Sequence, residues 1–242
     1  MRQRRGQVLM LVFSIVALCL GCRAPAQPAR EAKPRKPTLQ DTVKLTVYAD
    51  NWFQLYINGE LVAVDPIRFL PHNVVSVDVL PAYPMTIAVM ACDNADSKTG
   101  MEYANTNVGD GGFILKLGDG TVSNVSWKTR VVSRGPVSAQ GSQPRAEHEP
   151  LPEGWYLPEF DDSAWEAATE YSQAEVDPKG PYFEHDFSGA RFIWGRDLKI
   201  DNTVLFRCTV TAPPDGVARP DFSGINDLPM TAPGANGKRR QG

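Results

Sequence analysis

Apolar and polar residues alternate with a period of two over much of this chain. Val43, Leu45 and Val47 alternate with Lys44, Thr46 and Tyr48, and Phe53, Leu55 and Ile57 alternate with Gln54 and Tyr56. That period places successive side chains on opposite faces of a strand. Asn58-Gly59 follows, a pair that suits a type I′ hairpin turn, and Leu61 to Val64 supply the return strand. Val75, Val77 and Val79 alternate in the same way. The stretch from Met85 to Cys92 is almost continuously apolar, as expected of a central strand covered on both faces. Phe113, Leu115 and Leu117 precede a turn at Gly118-Asp119-Gly120, and Val122 to Val132 resumes the strand pattern. Val204, Phe206, Cys208 and Val210 share one face, with Arg207 and Thr209 on the other. One short helical turn is predicted from Asp161-Asp162-Ser163 through Trp165 to Ala168. Seven or eight short strands with turn signals between them predict an all-β chain, an antiparallel β-sandwich.

Composition sharpens the boundaries. The chain has 242 residues with 20 Gly and 20 Pro, a content that disfavours a helical bundle. Prolines cluster in 25–37 and again in 213–233, where the apolar periodicity also stops. Residues 22–40 therefore read as an extended linker, 41–212 as the sandwich domain and 213–242 as a disordered tail. The polar, proline-rich stretch 133–152 reads as a surface loop.

The first 21 residues carry the features of a signal peptide. Arg2, Arg4 and Arg5 precede an apolar run from Val8 to Leu20, too short to span a bilayer of about 30 Å. Leu18-Cys19-Leu20-Gly21-Cys22 resembles a bacterial lipoprotein cleavage site, with Cys22 as the acylated residue; plain secretion is the alternative. The expected address is therefore the cell envelope, as a lipoprotein, or the secreted or periplasmic space. Contact with the membrane is expected only through the lipid. Loss of the segment removes three arginines and no acid, so a formal charge of −3 becomes −6. That balance offers no footprint for nucleic acid. An oxidising compartment permits a disulfide between Cys92 and Cys208, and two buried thiols are the alternative.

Catalytic chemistry finds little support. His72, His148 and His185 lie in loop contexts, and no Gly-x-Ser-x-Gly elbow, Cys-x-x-Cys or His-Glu-x-x-His occurs. The adjacent pair Asp161-Asp162 suits helix capping better than glycoside hydrolysis. No cofactor is expected, although Asp93-Asn94-Ala95-Asp96-Ser97 is rich enough in oxygen ligands for a loop calcium site. Aromatic residues are the better lead, because a flat ring can stack on a sugar while Asn and Asp bind its hydroxyls. Trp127 and Trp165 fall in phase with apolar neighbours and are assigned to the core. Trp52 and Trp155 stand in loop or strand-edge contexts. The candidate ligand contacts are Asp50, Asn51, Trp52, Asn94, Tyr103, Asn105 and Trp155.

An ordered set of short motifs resembles the galactose-binding-like jelly-roll modules that accompany glycosidases and occur in secreted lectin-like proteins. Ala49-Asp50-Asn51 through Ile57-Asn58-Gly59-Glu60 looks like the family's hairpin, and Ile87-Ala88-Val89 with Asn94 like its central strand and exit loop. Gly111-Gly112-Phe113, Asp119-Gly120, Ser126-Trp127-Lys128, Gly154-Trp155, Phe160 to Ala168, Phe192-Ile193-Trp194 and Val204 to Arg207 follow in order. The resemblance implies a jelly roll; many such modules bind glycan through loops at one end of the sandwich, whereas others support a neighbouring catalytic domain, and the matched motifs fix the fold and carry no binding residue. A second role, docking an envelope protein without a sugar site, stays open, as does whether residues 182–212 close the same sandwich.

Overall fold

The computed structural model describes residues 35–65, 73–138 and 143–222. The expected signal segment, Cys22, His72 and residues 223–242 lie outside these described residues. Among the described residues there are fourteen strands: β1 (Val43–Asp50), β2 (Trp52–Ile57), β3 (Glu60–Val64), β4 (Val74–Val79), β5 (Met85–Cys92), β6 (Met101–Glu102) and β7 (Asn107–Val108) come first. They are followed by β8 (Gly112–Leu117), β9 (Lys128–Arg134), β10 (Glu147–His148), β11 (Glu166–Ala167), β12 (Thr169–Tyr171), β13 (Phe192–Trp194) and β14 (Asp201–Val210). The protein is an antiparallel β-sandwich. One sheet has the order β12-β13-β8-β1-β4 and the other β10-β9-β14-β5-β2-β3, with β11 also pairing β9. The short ribbon β6–β7 stands apart from both.

The period-two pattern explains the core. Leu45, Val47, Phe53, Leu55, Met85, Ile87, Val89, Phe113, Leu115, Val204 and Phe206 are fully buried in one cluster between the sheets. Phe113 of one sheet stacks on Phe206 of the other, ring centroids 5.2 Å apart. Each such side chain removed from water contributes about 1.5–3 kcal/mol. The outer faces are covered as well. On the larger sheet, Trp155 and Trp165 lie over Ala88 and Leu205. The continuous apolar run of β5 thus serves two layers. On the smaller sheet, Val176, Phe187 and Ala190 cover Tyr48, Ile114 and Phe192.

Residues 182–212 close the same sandwich. β13 joins the smaller sheet beside β8, and β14 sits at the centre of the larger one between β9 and β5. The Asn58-Gly59 turn forms as predicted, both residues having positive φ, and Asn58 braces it by accepting from Thr86 N at 2.7 Å and donating to Ala82 O at 3.0 Å.

Three expectations are corrected. Residues 122–127 are not strand, because Asn124 Oδ1 accepts from Ser126 N and Oγ and turns the chain before β9. No helix forms over 161–168, since Asp162 spends its carboxylate on Arg207 and Glu166–Ala167 pairs with β9. Instead the single α-helix among the described residues, α1 (Gln173–Val176), starts at a Ser172–Glu175 capping box and stops at Asp177, whose φ is 49°. Cys92 and Cys208 form no disulfide with one another. Cys92 lies opposite Thr203 and Cys208 opposite Ile87, and the residues between Thr203 and Cys208 span about 17 Å of strand. Bonding needs Cα atoms within about 7 Å.

Candidate functional site

Strand termini converge at one end of the sandwich. β1 ends at Asp50, opposite the start of β8 at Gly112. β2 starts at Trp52, opposite Cys92 at the end of β5, which in turn lies opposite Thr203 near the start of β14. The chain between Cys92 and Gly112 forms the loop over this end. Backbone bonds fasten it: Asn51 N donates to Cys92 O at 2.8 Å, Asp93 N to Asn202 O at 2.9 Å, and Gly111 N to Leu198 O at 2.8 Å.

Six of the seven predicted contacts belong to this end, but they divide by burial. Asp50 and Asn51 are buried, and Asn51 Oδ1 accepts from Asn94 N at 2.6 Å, so Asn51 braces the loop. Trp52 and Asn94 are half-buried and Asn105 is exposed. Tyr103 is 60% exposed. Tyr103, Ala104 and Asn105 have φ of 45°, 57° and 66°, three successive non-glycine residues in the left-handed region. Such backbone is costly and concentrates at ligand sites. Trp155 is corrected: it is 6% exposed and packs edge-on against Tyr56 and Tyr156 on the outer face of the larger sheet.

Beneath Tyr103 lies a carboxylate cluster. Asp93, Glu102 and Asp110 each offer an oxygen, all within 4.8 Å of one another. Asp93 and Glu102 are buried, whereas Asp110 is exposed. Burial is the main force raising the Asp93 carboxyl far above its ordinary range, followed by the Glu102 carboxyl beside it and by the charges of Asp110 and Asp50. The Tyr103 hydroxyl is also raised, first by the charge of Glu102, then by burial and by Asp110, Asp50 and Asp93. The ring therefore stands in the field of the cluster. Lys179 feels Asp110 and Asp50, but its ammonium is paired with Asp177 at 2.5 Å.

Sequence patterning singled out Asp93 but missed Glu102 and Asp110, which meet it only because the β6–β7 ribbon folds back. Asp96, the other acid of the predicted calcium loop, is not a member. Its Oδ1 accepts from Lys98 N and Thr99 N at 2.9 and 3.0 Å and caps its own turn. Also missed was a groove of about 500 Å³ on the outer face of the smaller sheet, lined by Tyr171, Tyr182, Glu170, Gln173 and Arg191. The remaining histidines are turned to main chain, His148 Nε2 lying 2.6 Å from Ser97 O and His185 Nδ1 2.9 Å from Pro181 O.

Comparison with family models, curated proteins and solved structures gives no match. No helix among the described residues is long and apolar enough to cross a membrane.

Proposed function

We propose that the protein is a non-catalytic carbohydrate-binding module that takes glycan at the loop end of its sandwich. In this reading it is exported, held at the cell envelope by lipid on Cys22, and related to the galactose-binding-like jelly rolls. The observation that carries the reading is the Tyr103 ring, 60% exposed on a run of left-handed residues beside Asn105. A solvent-facing ring two residues from an exposed asparagine suits the stacking and hydrogen bonding by which proteins hold sugars. Asp50 and Asn51 are buried, and Asn51 braces the loop through Asn94 N.

The test is retention of the full chain on insoluble polysaccharides and on a glycan array. Tyr103→Ala and Trp52→Ala are expected to weaken retention at least tenfold, with Tyr182→Ala in the groove leaving it unchanged. Loss in Tyr182→Ala alone would move the site to the smaller sheet. Absence of any retained glycan, together with a stable protein partner recovered from native envelopes, would overturn the reading in favour of a docking module.

A further inference from the structure

The carboxylates under Tyr103 pose a physical problem that a sugar does not solve. Asp93 is 6% exposed and Glu102 3% exposed, and Asp93 Oδ2 and Glu102 Oε1 accept no hydrogen bond from a donor of the chain. Two buried carboxyls facing one another are costly unless a proton or a cation lies between them. Asp110 brings a third carboxylate to the same point from the exposed side. The buried Asp50 adds its negative charge to the field on Asp93.

A second observation concerns Gly109, which precedes Asp110. A Cβ built on Gly109 would lie 1.7 Å from Asp93 Oδ2. No side chain fits there while the Asp93 carboxylate keeps this position, so glycine at 109 leaves Asp93 free to hold it. The backbone of Gly109 does not have positive φ, so space rather than conformation is the reason.

We propose that Asp93, Glu102 and Asp110 form a binding site for a hard divalent cation, with calcium as its expected occupant. The donor set is carboxylate oxygen, without histidine or cysteine, which selects hard ions over zinc or copper. Oxygens up to 4.8 Å apart can share one ion at calcium–oxygen distances of about 2.3–2.6 Å. The exposed position of Asp110 leaves room for water to complete the shell. The bound ion ties β6 and the Gly109–Asp110 turn to the end of β5, which fixes the loop carrying Tyr103. The site does not depend on glycan binding, and its test contains no sugar.

The experiment is calorimetric titration of the chelator-stripped full chain with calcium chloride and, separately, magnesium and manganese chloride. One calcium per chain is expected, with a melting temperature that rises as calcium is added. Asp110→Asn, at an exposed position, should keep the fold by circular dichroism while weakening calcium binding at least tenfold, and Glu102→Gln should weaken it similarly. Asp96→Asn should leave the affinity unchanged. Binding lost equally in Asp96→Asn would place the ion in the 93–99 turn and overturn the assignment. Tighter binding of magnesium or manganese than of calcium would overturn the choice of ion. No binding of any of the three ions at millimolar concentration would overturn the site.

Discussion

Arg207, on the outer face of β14, holds Asp162 at 2.8 Å with its Nε while Nη1 donates to Trp155 O and Leu157 O and Nη2 to Phe160 O. The arginine side chain is only 2% exposed, and its guanidinium lies 5.3 Å from the centre of the Phe160 ring. One side chain thus fastens the segment that carries Trp155 and Trp165 over the larger sheet. Asp162 is the anchor of that fastening.

Removal of this arginine should be among the most damaging single changes. Arg207→Met takes the guanidinium donors from three carbonyls and a carboxylate, of which Leu157 O alone keeps a main-chain donor, Phe160 N. The change is expected to cost about 3–5 kcal/mol. Arg207→Lys should recover little, because an ammonium cannot reproduce the planar fork. Asp162→Asn, whose partner keeps its carbonyl bonds and whose own side chain is 27% exposed, should cost less, about 1–2 kcal/mol. Urea midpoints of the three variants at neutral pH check the order.

What could be foreseen follows the range of the forces involved. β1, β2, β8 and β14 were legible because alternation along a strand is a local pattern, and β5 because a short continuous apolar run is the local mark of a strand covered on both faces. The Asn58-Gly59 turn was legible because its chemistry is contained in two residues. The Asp162–Arg207 and Asp93–Glu102–Asp110 groupings were not, since each joins segments brought together only by tertiary closure. Trp155 misled for the same reason: its loop context is real, yet the Arg207 clamp folds that loop onto Tyr56. Ser172-Gln173-Ala174-Glu175 is a local capping signal and could have been read.

Thiol chemistry should follow the register. Cys92 and Cys208 are too far apart to bridge, and burial followed by the Asp162 charge pushes the Cys208 thiol up to about 11. Its thiolate fraction near pH 8 is therefore very small. Alkylation of the folded, full-length chain should leave Cys208 largely unmodified over minutes, while the urea-unfolded chain reacts quickly. Peptide mass spectrometry after oxidative refolding should find no 92–208 cross-link.

Close approach rather than backbone conformation governs Gly111. A Cβ there would lie 2.3 Å from Trp194 Cε2, and the Trp194 ring is held by Nε1 donating to Asp201 O at 2.6 Å. The ring cannot retreat without losing that bond. Gly111→Ala is expected to destabilise by about 1–3 kcal/mol. Gly180→Ala, with nothing within 4 Å of its Cβ and no positive φ, should be close to neutral. Thermal melts of the two alanine variants distinguish crowding from a general intolerance of the added methyl group.

Acid should erode a defined set of surface pairs. Lys116 Nζ donates to Asp186 Oδ2 at 2.6 Å and to Ser188 Oγ at 2.7 Å, tying the β8 strand to the turn before β13. The lysine bond first, then the main-chain and hydroxyl donors of Ser188, hold the Asp186 carboxyl well below its ordinary range. Arg219 does the same for Asp215, lowering it to about 2. A carboxylate depressed by folding contributes stability that is present above its unfolded value near 4. That contribution disappears as the pH falls through the folded value. The wild type and Lys116→Met should therefore differ in urea midpoint at pH 7 and converge on acidification from about pH 4 towards pH 2. Both carboxylates are solvent-exposed, so the gap at pH 7 should be small and should shrink further in 1 M salt. A gap that widened on acidification would show that Lys116 stabilises the fold through its stem and not through the Asp186 pair.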